Sequence, residues 1–211
     1  MLLVILFIGC KKDKTEPKRT EEQIDFTEYC IVEKGKALSV NDPLMLYLLT
    51  FNSDGECIII TLQGEYIYKY AHENGMLKIY SGTGAVRSEY KIENKIIVSS
   101  TGNDPSFKPQ LIKVPATNQL SGNSYYSGGW MAEGSLIIQI SNLKFTDTQF
   151  GETSINEPVP NILYTLRKNI AAKSHENGVM SFFILVNGKL EAQRINFNPA
   201  KKWFSGQFNK R

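Results

Sequence analysis

Histidine and cysteine are scarce in this chain, two and three respectively among 211 residues. With so few imidazoles and thiols, densely ligated zinc clusters are excluded, and neither Cys30 nor Cys57 stands beside a histidine or in a Cys-x-x-Cys spacing. General-base chemistry, if there were any, would fall on carboxylates. Long hydrophobic runs are missing as well: the apolar stretch of residues 2–8 is far shorter than the ~20 residues a helix needs to cross a bilayer. Nor is there an excess of one charge. Lys and Arg number 24 against 21 Asp and Glu, a net +3 spread along the chain, which gives no basic face for nucleic acid.

Motifs of nucleotide, metal and acyl chemistry are also absent. Gly82-Thr83-Gly84 has Arg87 where a dinucleotide loop needs its third glycine. Gly35-Lys36 lacks both the upstream glycine and the following hydroxyl of a phosphate loop. Gly122-Asn123-Ser124-Tyr125-Tyr126 has a tyrosine where a nucleophile elbow needs glycine. Asn52-Ser53-Asp54-Gly55 opens like a calcium loop, but Thr61 takes the place of the bidentate glutamate. No cofactor and no metal site is expected, and the chain reads as more binder than enzyme.

The N-terminus carries the clearest signal. Residues 2–8 (LLVILFI) lead into Gly9-Cys10, and Lys11-Lys12-Asp13-Lys14 follows at once. The apolar run has the length of a signal-peptide core, with a small residue before the cleavage point. Phe7-Ile8-Gly9-Cys10 resembles the lipobox of bacterial lipoproteins, with Phe7 where the family usually places leucine. The resemblance implies cleavage after residue 9, lipidation of Cys10 with diacylglycerol and palmitate, and an outer-membrane-anchored protein of the bacterial cell envelope, periplasmic or surface-exposed. The charged cluster after Cys10 is similar to the surface-export signals of some Gram-negative lipoproteins. Residues 11–24 hold five basic and four acidic side chains with one apolar residue at the end. They bury too little to order themselves, so residues 10–26 are expected to be a lipidated cysteine and flexible tether.

The remainder, 27–211, reads as a single all-β domain, with two halves, 27–116 and 120–211, as an alternative. Short apolar runs alternate with turn residues. Asn74-Gly75 stands between alternating segments, the strongest short hairpin signal, and Asn187-Gly188 marks a further hairpin between residues 180–186 and 189–197. Strands at roughly nine-residue spacing between 47 and 99 predict an antiparallel meander. Residues 101–134, rich in Pro and Gly, predict a loop region with a strand only at 111–114. Residues 151–160 predict an exposed loop, and 162–170 a strand in preference to a helix. The pattern predicts a barrel or a two-sheet sandwich, and its run of simple hairpins resembles the lipocalin-like meander barrels.

His72-Glu73-Asn74-Gly75 recurs as His175-Glu176-Asn177-Gly178, involving both histidines of the chain. Two hairpin turns account for the echo better than a shared metal site. Cys30 and Cys57 either pair as a disulfide or stay as buried thiols. Tyr125, Tyr126 and Trp130, in a Gly-rich stretch expected to be a loop, are the candidate ligand-binding aromatics. The expected function is a lipid-anchored envelope protein that binds a small apolar ligand or glycan. Alternatives are an interaction subunit of an envelope complex and an enzyme using paired carboxylates.

Overall fold

The computed structural model describes residues 24–36, 44–101, 107–198 and 201–211. The leader 1–9, Cys10 and most of the tether lie outside the described residues. The chain is all-β and antiparallel, in two sheets that follow one another along the sequence. The first contains β1 (Tyr29–Lys36), β2 (Leu44–Phe51), β3 (Glu56–Ile60), β4 (Glu65–Glu73), β5 (Met76–Tyr80), β6 (Val86–Glu93), β7 (Ile96–Ser100) and β8 (Gln110–Lys113). The second contains β9 (Ser124–Ala132), β10 (Ile138–Phe145), β11 (Gln149–Thr153), β12 (Ile162–Leu163), β13 (Thr165–Arg167), β14 (Ala171–Glu176), β15 (Val179–Val186), β16 (Lys189–Asn196) and β17 (Lys202–Lys210).

In the first sheet each strand from β1 to β7 pairs with its successor, and β8 returns to the free side of β1. The edge strands β7 and β8 approach one another. In the second sheet the order is β12-β11-β10-β9-β17-β16-β15-β14-β13. Its two edge strands are joined through Tyr164 alone, so this sheet curls into a nearly closed barrel. Closure of this kind hides the unpaired edges that an open meander would expose.

Why the two sheets pack together is written in β2 and β15. Along β2, Leu46 and Leu48 face the second sheet while Leu49 and Phe51 face the interior of the first. Along β15, Phe182 and Ile184 face the first sheet and Phe183 the barrel interior. A strand buried on both faces reads as a continuous apolar run, whereas β4, with one face wet, alternates Glu-Tyr-Ile-Tyr-Lys-Tyr. Each fully buried Leu, Ile or Phe contributes ~1.5–3 kcal/mol. Polar contacts fix the docking. The Gln193 side chain accepts from the Leu46 amide at 2.7 Å and donates to the Leu44 carbonyl, and Lys34 pairs with Glu191 at 2.7 Å.

Asn74-Gly75, Asn177-Gly178 and Asn187-Gly188 all have positive φ at both positions, as two-residue hairpin turns require. The two His-Glu-Asn-Gly stretches therefore form the same turn, one in each sheet. The expected strand at 162–170 is present in two short pieces, β12 and β13, and its last three residues form a turn instead, with positive φ at Lys168 and Asn169.

The stretch expected to be a loop at 124–132 is instead β9, a central strand between β10 and β17. Its glycines answer to neighbours rather than to a turn. A Cβ on Gly128 would lie 1.6 Å from the Gln207 carbonyl oxygen, and one on Gly129 would lie 2.3 Å from that of Gln139. Both flanking ladders carry register shifts here, the close backbone approach that favours glycine within a strand. The start of the expected 151–160 loop likewise belongs to a strand, since β11 runs to Thr153.

Cys30 and Cys57 are free, buried thiols. Cys30 lies opposite Thr50, which lies opposite Ile58, so Cys30 shares a face with Ile58 and Cys57 takes the other. Two strand spacings of ~4.8 Å and a sheet thus separate them, beyond disulfide reach.

Candidate functional site

The barrel interior is built in layers by the alternation of its strands. On β16, Leu190 and Ala192 point inward, and so does the next residue of that face, Arg194; on β11, Phe150 is followed by Glu152 in the same way. One end is filled with rings. Phe183 stacks edge-on against Phe145 at 5.4 Å and Phe150 at 5.0 Å, and Trp130 meets Phe208 at 5.4 Å. Leu120, from the segment between β8 and β9, is buried against this same cluster.

Toward the other end the lining turns polar. Glu152 accepts hydrogen bonds from the Trp130 indole at 2.5 Å and the Ser141 hydroxyl at 2.6 Å, and its second oxygen accepts from the Arg194 guanidinium. The Arg194 Nε donates to Ser181 Oγ at 3.1 Å, and the guanidinium carbon lies 4.0 Å from the centre of the Trp130 ring. Burial raises the pKa of the Glu152 carboxyl. The Arg194 charge and hydrogen bond, with those of Ser141 and Trp130, outweigh it and hold the group below the ordinary carboxylate range. The result is a pre-oriented ion pair, less than one-fifth exposed on either side.

Above this pair opens a cleft of about 320 Å³, lined by Phe150, Ile162 and Val179 on its apolar side, and by Ser174, Glu176 and the β14–β15 turn residue Asn177 on its polar side. Its size falls at the lower limit of the ~300–1,000 Å³ typical of small-molecule sites. Glu152 and Glu176 both line it, but Glu152 already accepts from three donors and is held in its ionised form beside Arg194. That makes it a fixture for binding and a poor proton shuttle.

Of the three candidate aromatics, Trp130 joins this site as donor to Glu152. Tyr125 is inward too, but it lies in the packed layer, 5.8 Å from the Phe145 ring, and its buried hydroxyl has no hydrogen-bond partner among the described residues. Tyr126 points outward, with the Arg211 guanidinium 5.8 Å from its ring. Glu152, Ser141, Ser181 and Arg194 were not singled out by the sequence reading. Their one signal was periodicity: Arg194 continues the inward face of Leu190 and Ala192, where a charge is unusual.

No protein-family model, curated protein or solved structure matches this chain.

The first sheet holds a second buried carboxyl. Glu33 on β1 is 6% exposed and accepts from the Tyr90 hydroxyl at 2.7 Å. Burial pushes it up to about 7, against the opposing pull of the Tyr90 hydrogen bond and the Arg87 charge. Arg87 itself donates to the Tyr68 hydroxyl at 3.1 Å. Among the described residues no three His, Cys, Asp or Glu side chains converge as metal ligands.

Proposed function

We propose that this protein is a lipid-anchored component of a bacterial envelope, held at the outer membrane through Cys10, whose second sheet binds a short glycan without chemical turnover. The observation that carries the reading is the cleft over the Glu152–Arg194 pair. It combines an apolar wall with fixed donors and acceptors. A purely apolar ligand would cover Arg194, Glu176 and Asn177 while replacing none of their bonds to water, at ~1–3 kcal/mol for each polar group left unsatisfied. A saccharide carries hydroxyls for those groups and C–H faces for Phe150, Ile162 and Val179. The barrel, packed at one end and open at the other, would work as a shallow cup in the lipocalin-like manner.

The test is retention of the full-length protein on a panel of immobilised mono- to tetrasaccharides. Binding to a subset is expected. It should be lost in Ser174→Trp, which fills the cleft, and retained in Tyr126→Ala, which lies outside it. Failure to bind any saccharide, with saturable uptake of a fatty-acid probe instead, would overturn the glycan assignment. The anchor is checked separately: metabolic labelling with a palmitate analogue should mark the full chain and not Cys10→Ser.

A further inference from the structure

The β9–β10 hairpin carries a feature that the ligand cleft does not use. Leu136 is 97% exposed, Ile137 76%, Ile138 57% and Ile140 65%. Met131 lies opposite Ile138 and therefore shares its outward face. The backbone beside them is equally bare. β11 pairs with β10 only from Asn142 to Phe145. Among the described residues nothing pairs with 138–141 on that side. Residues 135–142 (SLIIQISN) contain no charge and no proline. An uncharged, β-branched, unpaired edge is the feature that folded proteins ordinarily cover.

We propose that this edge is covered by the same edge of a second copy, so that two barrels join through antiparallel pairing of β10 about Gln139. Three observations favour a second copy over other occupants. Pairing about Gln139 sets Ile138 opposite Ile140 of the other copy and Ile140 opposite its Ile138. Two aliphatic cross-strand pairs then form on one face. The absence of charge across 135–142 means that a two-fold axis brings no like charges together. A lipid surface would bury the side chains but leave the alternate N–H and C=O groups of 138–141 that point away from β9 unpaired in an apolar medium, whereas a second strand satisfies both needs. Beyond 141, β11 already occupies the edge, which limits pairing to this short segment and stops further strands from adding. The assembly closes as a dimer. This inference is independent of the ligand in the cleft.

The experiment places a cysteine on the two-fold axis. In Gln139→Cys the two new thiols face each other across a strand pair, at a Cα separation of ~4.5–5.5 Å that a disulfide spans. The full-length chain carrying Gln139→Cys, treated with a mild oxidant, is expected to run as a dimer on a non-reducing gel. Ile155→Cys, exposed but off the axis, and the unsubstituted chain should remain monomeric. The unsubstituted chain should sediment as a dimer at micromolar concentration. Ile138→Lys, which sets a lysine beside Ile140 of the other copy, should sediment as a monomer with an unchanged circular dichroism spectrum. A monomer in sedimentation, or equal cross-linking at positions 139 and 155, would overturn the proposal. So would an Ile138→Lys variant that stays dimeric, or one whose sole defect is loss of vesicle flotation, which would assign the face to lipid.

Discussion

Replacing Glu33 by glutamine tests the electrostatics of the first sheet directly. In the folded chain burial raises the Glu33 carboxyl from 4.5 to about 7. In the unfolded chain it ionises at its ordinary value. Because the folded value is the higher one, the contribution of Glu33 to stability is intact below about pH 4.5, declines as pH rises from there to about 7, and levels off beyond. The gap of about 2.5 pH units corresponds to about 3 kcal/mol at ~1.36 kcal/mol per unit. That is a large share of the ~5–15 kcal/mol that holds a typical domain together. Glutamine resembles the protonated acid in shape and still accepts from Tyr90, so it removes the titration and little else. The assay is urea unfolding of the unsubstituted protein and Glu33→Gln, followed by tryptophan fluorescence at several pH values between 4.5 and 8.5. All other titrating groups cancel in the difference between the two proteins. Relative to the variant, the unsubstituted protein should lose about 3 kcal/mol across that range. Parallel stability curves, or a relative gain with rising pH, would refute the argument that burial dominates at Glu33.

Three further outcomes follow from packing. Tyr125→Phe removes a buried hydroxyl with no partner among the described residues and should stabilise the fold by up to ~1 kcal/mol in the same urea assay. A loss of stability would show that the hydroxyl is bonded. Gly128→Ala places a Cβ 1.6 Å from a backbone oxygen and should destabilise by at least ~2 kcal/mol. Gly82→Ala, with nothing within 4 Å, should leave the melting temperature nearly unchanged. Cys30, whose thiol burial pushes up to about 12, and Cys57, also raised by burial, should resist iodoacetamide in the native protein and react in urea. Peptide mass mapping reads both sites, and rapid native labelling would contradict their burial.

What the sequence determines by itself is what short-range chemistry decides. Asn-Gly pairs turn the chain because both positions adopt positive φ at little cost, and this holds wherever the pair stands. The run from Tyr47 to Ser99 is readable for the same reason: alternation and turns are properties of neighbours within a few residues. The candidate site is a different case. Gly128 and Gly129 resemble loop residues until Gln207 and Gln139 stand against them, because the need for glycine comes from strands remote in the chain. Trp130 was legible as a functional candidate, but its role depends on Glu152, and Glu152 becomes a fixed anion only when Arg194, 42 positions away, closes on it. Cys30 and Cys57 show the same division. Their burial was legible in the β-branched residues that follow each of them, while their separation is set by register through Thr50 and by the opposite faces they take. Local sequence selects strand and turn because those states depend on a few adjacent dihedrals. Which inward-facing residues meet depends on how the sheets curl and pack, and that is decided only when the whole apolar surface is buried together.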